Sequence, residues 1–128
     1  MITNLKTEEI LATDFCNGSE HDFQLFKNSR CIISRQTCVL ADAGYQGLTG
    51  LHPNSQTPAK KSKLHPLSRE QKAGNRALSR KRILVENIIR RLKIFRILSE
   101  RYRNRRKRFG LRFNLIGAIC NLELKTKH

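Results

Sequence analysis

Residues 37–48 read TCVLADAGYQGL and contain the strand that decides the fold class. The apolar run CVLA at 38–41 is short and continuous, which is typical of a strand buried on both faces of a sheet. The run ends at Asp42, and Gly44 and Gly47 break the pattern behind it. A carboxylate is therefore predicted at the end of a buried strand, where a rigid backbone holds it in place.

Two further elements are predicted upstream of this strand. Residues 8–16 (EEILATDFC) predict a strand with two competing inward faces, one with Ile10, Ala12 and Cys16 and the other with Leu11 and Phe15. Residues 17–29 (NGSEHDFQLFKNS) predict a turn and a short amphipathic helix. Together these segments predict a strand–helix–strand unit over residues 8–49, within an α/β fold.

A long helix is predicted downstream. Residues 50–67 carry all three prolines and predict a loop. The helix over 68–98 begins at a capping box, because Ser68 and Gln71 have the S-x-x-Q spacing. Its apolar residues repeat with the helical period and form one stripe, which consists of Ala77, Leu84, Val85, Ile88, Leu92 and Phe95.

The last part of the chain, residues 99–124, predicts a basic connector and a C-terminal helix. Residues 111–124 (LRFNLIGAICNLEL) are apolar nearly all round. That pattern is typical of a helix buried between other elements.

The positive charge is concentrated in one segment. The formal net charge is +16, and residues 60–112 hold 20 Lys and Arg against three glutamates, whereas the rest is nearly neutral. Such a segment attracts polyanions, which makes nucleic acid the leading partner. The chain has no apolar run of 18 residues and no basic, apolar leader, so neither a membrane-spanning helix nor a secretory signal is predicted.

The four cysteines, Cys16, Cys31, Cys38 and Cys120, include no C-x-x-C pair. Neither a zinc site nor a redox motif is therefore indicated. We expect buried free thiols in a reducing cytoplasm.

Glu86 is a lone carboxylate in a strongly basic stretch of the long helix. Its neighbours at i−4, i+4 and i+7 are Arg82, Arg90 and Lys93, so all four residues share one face. Two interpretations are open. The glutamate either offsets these cations by ion pairing or holds a metal ion over a DNA phosphate.

Asp42 and Glu86 form a candidate metal site. A divalent ion needs hard oxygen ligands, and carboxylates on rigid elements supply them at fixed positions. Phosphoryl-transfer enzymes commonly hold two such ions, and that geometry usually takes three or more carboxylates. The residues alone leave the simpler alternative open, in which Asp42 caps the turn before Gly44 and Glu86 is ion-paired.

Four blocks of the sequence resemble the C-terminal half of insertion-sequence transposases of the DDE superfamily, in the bacterial group related to the fifth insertion-sequence family. They keep the same order between about Thr7 and Leu124, and read HDFQLFKNS, LADAGYQGL, NRALSRKRILVENIIRRLKIFRIL and RYRNRRKRFGLRFNLIGAICNLEL. The resemblance implies a ribonuclease H-like fold and an Asp, Asp, Glu catalytic triad. The implied activity is metal-dependent DNA cleavage and strand transfer.

The resemblance assigns two members of that triad to this chain. The family's second Asp matches Asp42 and its Glu matches Glu86, and these residues would share Mg²⁺ or Mn²⁺ ions. A linked signature of Tyr, Arg, Glu and Lys matches Arg82, Glu86 and Lys93, with Ser79 in the tyrosine position. The predicted DNA contacts are Arg82, Arg90, Lys93, Arg103, Arg105 and Arg106.

The first catalytic Asp of the family lies on a central strand, upstream of the segment that residues 8–16 match. We therefore expect a partial ribonuclease H-like sheet that lacks this strand and needs a third carboxylate. The isolated chain is expected to be marginally stable and not to cleave DNA alone. An upstream-frame part or a full-length transposase is an expected partner, and the expected location is the bacterial cytoplasm, at the nucleoid.

Three other interpretations fit the charge: a non-catalytic nucleic-acid-binding protein, a decayed transposase remnant and a basic ribosome-associated protein. The last does not explain the blocks LADAGYQGL and RILVENIIRRLK. Substitution of Asp42 distinguishes a catalytic from a purely DNA-binding role, since only the catalytic role requires its carboxylate.

Overall fold

The computed structural model describes residues 1–16, 18–100 and 106–126. They form a mixed α/β structure with small sheets and several helices. The chain divides into two compact units, of which the first comprises Met1–Phe15 and Lys81–His128 and the second Cys16–Arg80. Within the described ranges, no helix has the length and apolar character needed to cross a membrane.

The sheet of the first unit pairs two short antiparallel strands, β1 (Ile2–Thr3) and β2 (Ile10–Ala12). Ile10 is 8% exposed and Leu11 61% exposed, so the Ile10 face is directed to the core. The strand predicted over 8–16 is therefore too long. The sequence does not predict β1, because two residues are too few to show a period.

The edge of β2 is covered by α5 (Phe109–Thr126) through a side-chain amide. Asn121 accepts a hydrogen bond from the Ile10 N–H at 2.8 Å and donates one to the Ile10 carbonyl at 2.8 Å. Ile10 thus directs both backbone groups away from β1. Thr3 is the partner of Ile10 in the register, so its own N–H and C=O point to the outer edge of β1.

The core of the first unit lies between α3 (Arg69–Lys93), α5 and β2. Its buried members are Ile10, Ile88, Leu92, Ile116 and Cys120, and half-buried residues on and around α4 (Arg96–Ser99) pack against them. The centre of the predicted stripe is therefore buried, although Ala77 near its start is exposed. The expectation that the C-terminal helix is enclosed on all sides is wrong, because Leu111, Leu115 and Leu122 are exposed on α5.

The predicted capping box is present at the start of α3. The Gln71 N–H donates to Ser68 Oγ at 3.1 Å, and the Ser68 N–H donates to Gln71 Oε1 at 2.9 Å. Two backbone donors that have no partner inside the helix are thereby satisfied.

The sheet of the second unit pairs β3 (Val39–Leu40) with β4 (Ser55–Gln56) in parallel. The segment predicted as a loop therefore contains a strand, and it also contains the end of α2 (Leu48–Leu51). The Val39 N–H donates to the carbonyl of Asn54, just before β4, at 2.9 Å, and the Ala41 N–H donates to the carbonyl of Gln56 in β4 at 3.0 Å. The backbone groups of Leu40 consequently point to the opposite edge of β3.

An aromatic cluster joins α1 (Asp22–Asn28) to the turn after β3. The rings of Phe23 and Phe26 lie 5.6 and 6.3 Å from the ring of Tyr45, between centroids. The predicted amphipathic helix is thus confirmed.

Gly47 precedes α2 with a φ of 90°, a left-handed conformation that glycine adopts without steric cost.

Burial of the cysteines is confirmed only for Cys120. Cys16 is half-buried, and Cys31 and Cys38 are exposed. The prediction is wrong for the exposed pair because neither lies inside a regular element: Cys31 follows α1, and Cys38 precedes a strand of two residues.

Candidate metal and DNA-binding site

Asp42 lies two residues after the end of β3, and a hydrogen bond orients its carboxylate. Oδ1 accepts the Gly44 N–H at 2.8 Å, and the Asp42 carbonyl accepts the Tyr45 N–H at 3.1 Å. The predicted turn cap is therefore present. It uses one carboxylate oxygen, and Oδ2 has no hydrogen-bond partner in the described ranges, so that oxygen is available to a ligand.

Gly44 allows the close approach of this carboxylate to the turn. A Cβ at position 44 would lie 3.1 Å from Asp42 Oδ1. A side chain there would displace the carboxylate by a few tenths of an ångström. The glycine therefore matters for the position of Asp42 as well as for the turn.

Tyr45 lies in the same turn as Asp42 and is not among the predicted site residues. Burial raises the pKa of its phenol above the ordinary 10.0, and the carboxylates of Asp22 and Asp42 raise it further. The phenol therefore stays protonated at neutral pH and can act as a donor. The signal that could have identified it is its place in the same turn as the aspartate.

Glu86 lies on an exposed, charged face of α3. The face holds the four side chains predicted from the spacing, Arg82, Glu86, Arg90 and Lys93, all of them exposed. Ile88 and Leu92 are buried on the other side of the helix. The structure thus brings these four predicted residues together on one surface.

Ion pairs in the described part of the chain do not involve Glu86. Arg91 pairs with Glu8 at 3.2 Å, and Arg96 with Glu100 at 3.8 Å. The interpretation in which Glu86 merely neutralises Arg82 or Arg90 therefore finds no support among these residues. Among the described residues, no ion pair occupies its carboxylate, which can therefore bind a ligand.

The connector arginines fall largely outside the described ranges. Arg103 and Arg105 lie there, and Arg106 begins a 3-10 turn over Arg106–Arg108, with its side chain likewise undescribed. Lys107 and Arg108 of the same turn are exposed. The predicted DNA contacts of this segment stay predictions.

Asp42 and Glu86 are the type of ligand that a divalent ion prefers, but two carboxylates are fewer than such a site usually has. Asp42 belongs to the second unit and Glu86 to the first, and their approach stays a prediction. The ranges that the structure describes contain no group of three or more His, Cys, Asp or Glu residues that could hold an ion. Hard oxygen donors such as these two fit Mg²⁺ or Mn²⁺.

Comparison with known proteins identifies the family. The family model described as "DDE superfamily endonuclease" matches residues 1–121. The probable transposase for insertion sequence element IS702 of Microchaete diplosiphon is 51% identical over 127 residues, which is 99% of this chain and 46% of that protein. No solved structure matches the chain. The chain spans less than half the length of this relative. Because the family model matches nearly all residues of this chain, the chain belongs to the DDE superfamily endonucleases.

Proposed function

We propose that this chain supplies an aspartate, Asp42, and a glutamate, Glu86, to a metal-dependent centre that cleaves and joins DNA strands in transposition. The observation that carries the proposal is the state of Glu86: an exposed carboxylate on a basic face, without an ion-pair partner among the described residues. Because exposed ion pairs at this helical spacing contribute only about 0.3–0.5 kcal/mol, the arginines compete weakly with a metal ion for this carboxylate.

Asp42 and Glu86 would hold the metal through carboxylate oxygens. Divalent ions bound there would activate the attacking oxygen and stabilise the leaving oxygen of a phosphodiester. The Gly44 N–H fixes one oxygen of Asp42 and leaves the other oriented for this role. Backbone orientation of this kind reduces the reorganisation needed when an ion binds.

DNA would lie along the basic face of α3. Arg82, Arg90 and Lys93 are exposed beside Glu86 and can neutralise phosphates, which positions a strand without reading its sequence. The proposed DNA contacts also include Arg103, Arg105 and Arg106 of the connector. The proposed substrates are transposon ends and target DNA, encountered at the nucleoid of a bacterial cell.

A third carboxylate would come from the part of a longer transposase that this chain does not match. The ribonuclease H-like fold proposed here supplies it on an added strand. Each small sheet has an edge suited to strand addition, because Thr3 of β1 and Leu40 of β3 both direct backbone groups away from their partners. An upstream-frame part or a full-length transposase is the proposed protein partner.

The test is Mn²⁺ binding by the chain, followed by electron paramagnetic resonance. We expect Asp42→Asn and Glu86→Gln each to weaken binding, whereas the matched controls Asp14→Asn and Glu123→Gln retain it, since both control carboxylates are exposed and lie outside the proposed centre. Binding that the first two substitutions leave unchanged would refute the metal site.

A second candidate is a non-catalytic DNA-binding protein. It is favoured by the charge of residues 60–112, which is sufficient for DNA binding without a metal centre. On this interpretation, Asp42→Asn would leave both DNA binding and its response to Mn²⁺ unaltered. Loss of the metal response would favour the first candidate.

A further inference from the structure

Helix α5 has apolar residues on two opposite faces, and the first unit covers one of them. Ile116, Gly117 and Cys120 are buried on the inner face. The other side, which we name the outer α5 face, consists of Leu111, Leu115, Ala118, Ile119 and Leu122. Its four large side chains are 71%, 60%, 39% and 63% exposed, in chain order.

The outer α5 face is a continuous stripe. Its residues follow the spacing of a single helix face and extend over about 16 Å, at 1.5 Å per residue. No charged residue lies within it. Beside the stripe, Ala118 and Leu11 line a shallow groove whose other members include Thr13, Asn114 and Asn121, so the apolar surface ends there. Contiguous exposed stripes of this kind mark interaction sites, whereas single exposed apolar residues do not.

We propose that the outer α5 face docks onto the part of a full-length transposase that this chain does not match, and that this contact holds the two parts together. The inference rests on the proposed function. The chain spans 46% of its IS702 relative, so more than half of such a protein is available to cover the face. A helix apolar on both sides is typical of the layer between two others.

Charge argues against a second copy of this chain as the occupant. Each copy carries a formal charge of +16, so association of two copies brings like charges together. Arg112 and Lys125 also flank the stripe in the helical sequence. A partner segment without this basic excess faces no such repulsion.

The experiment co-expresses the full chain with the unmatched part of the IS702 relative, which carries an affinity tag. We expect a 1:1 complex, and we expect Leu115→Gln with Leu122→Gln to weaken it at least tenfold. The matched control is Leu51→Gln with Leu64→Gln, two leucines that are 58% and 86% exposed elsewhere in the chain. The control should bind as the unmodified chain does.

A second variant, Ala118→Arg, blocks the stripe by size while it keeps a good helix former, and circular dichroism checks that both variants are folded. The proposal is overturned if no complex forms, if the stripe variants bind normally, or if sedimentation shows that the face instead joins two copies. Stripe-dependent binding to anionic lipid vesicles without complex formation would overturn it equally.

The same chain with Asp42→Asn and Glu86→Gln separates this inference from the proposed function. Docking should survive both substitutions, because neither residue belongs to the outer α5 face. In the chain without these substitutions, docking without metal binding would refute the proposed function alone. Metal binding without docking would refute the inference alone.

Discussion

Asp42 shares its turn with Gly44, and replacement of this glycine should change the affinity of the carboxylate for a metal ion. A Cβ at position 44 would lie 3.1 Å from Oδ1. We predict that Gly44→Ala weakens Mn²⁺ binding about tenfold, the scale seen when groups that orient a metal ligand are altered. Gly50→Ala is the control, since a Cβ there meets nothing within 4 Å. Equal affinities for the three proteins would contradict the prediction.

Cys120 makes the stability of the first unit sensitive to alkaline pH. Burial raises the pKa of its thiol above the ordinary 9.0, Glu123 adds to the rise, and Arg91 opposes it. Above about pH 9 the thiol ionises in the unfolded chain while the folded chain keeps its proton, so folding stability falls as the pH rises.

We predict that, as the pH rises above the ordinary thiol pKa of 9.0, urea unfolding of Cys120→Ala shows a shallower loss of stability than that of the unmodified chain. Cys31→Ala is the control, because Cys31 is exposed. An alkaline loss of equal slope in Cys120→Ala and the unmodified chain would be incompatible with this cause. Tyr45, whose pKa is also raised, contributes to the loss at higher pH in all three proteins.

At the scale of residues, the sequence predicts the positions of the candidate site residues better than it predicts their bonding partners. The position of Asp42 shortly after a strand and its turn before Gly44 follow from local pattern, whereas the predicted burial of that strand on both faces is wrong, because Val39 and Leu40 are only half-buried. Whether Glu86 is ion-paired does not follow from local pattern, because the spacing of Arg82, Glu86 and Arg90 permits both outcomes. Whether the pair forms depends on side-chain conformations, which the spacing of residues along a helix does not determine. The same limit applies to the approach of Asp42 and Glu86, which stays a prediction.

Asn121 joins two elements that are distant in sequence. Its amide makes two hydrogen bonds to the backbone of buried Ile10, each of 2.8 Å. We predict that Asn121→Ala lowers the free energy of unfolding by about 2–4 kcal/mol, because a buried N–H and C=O lose their partners. Asn114→Ala is the control on the same helix, since Asn114 Oδ1 accepts a hydrogen bond from the Thr13 hydroxyl and not from the backbone. Urea titration measures both, and equal losses would contradict the prediction.

The capping box of α3 gives a smaller and more local effect. Ser68→Ala removes the acceptor of the Gln71 N–H. We predict a loss of about 1 kcal/mol and a reduced helical signal in circular dichroism. Ser79→Ala lies in the middle of the same helix and should be neutral or slightly stabilising. A Ser68→Ala protein as stable as the unmodified chain would show that the cap contributes little.

Among the elements, those built from local interactions could be predicted and those built from pairing could not. The capping box and apolar period of α3 and the phenylalanine spacing of α1 are contained in the sequence itself. The strands β1 and β4 have two residues each, too few for a period, and they exist only because a partner strand lies beside them. The exposed side of α5 was also beyond prediction, since an all-round apolar helix does not reveal how many neighbours cover it.

At the scale of the whole molecule, the charge of residues 60–112 should govern the response of DNA binding to salt. We predict that Arg82→Gln with Arg90→Gln lowers the slope of log binding constant against log salt by about 2, one for each lost phosphate contact. The loss should be similar for all DNA sequences, because phosphate contacts carry no sequence information.

The control for this prediction is Lys6→Gln with Arg35→Gln, which removes the same charge from two exposed positions outside the basic segment. It should leave the slope nearly unchanged. If both pairs lower the slope equally, the binding reflects total charge and not a surface on α3.

The amide of Asn121 has a consequence for how this chain behaves at high concentration. Because it occupies one side of β2, the sheet of the first unit can be extended in one direction only. A sheet with two open sides can recruit copies indefinitely and grow into fibrils. In this sheet, by contrast, pairing of the open edges of two molecules leaves no edge for a third. At high concentration, association through this sheet would therefore stop at dimers and would not produce filaments.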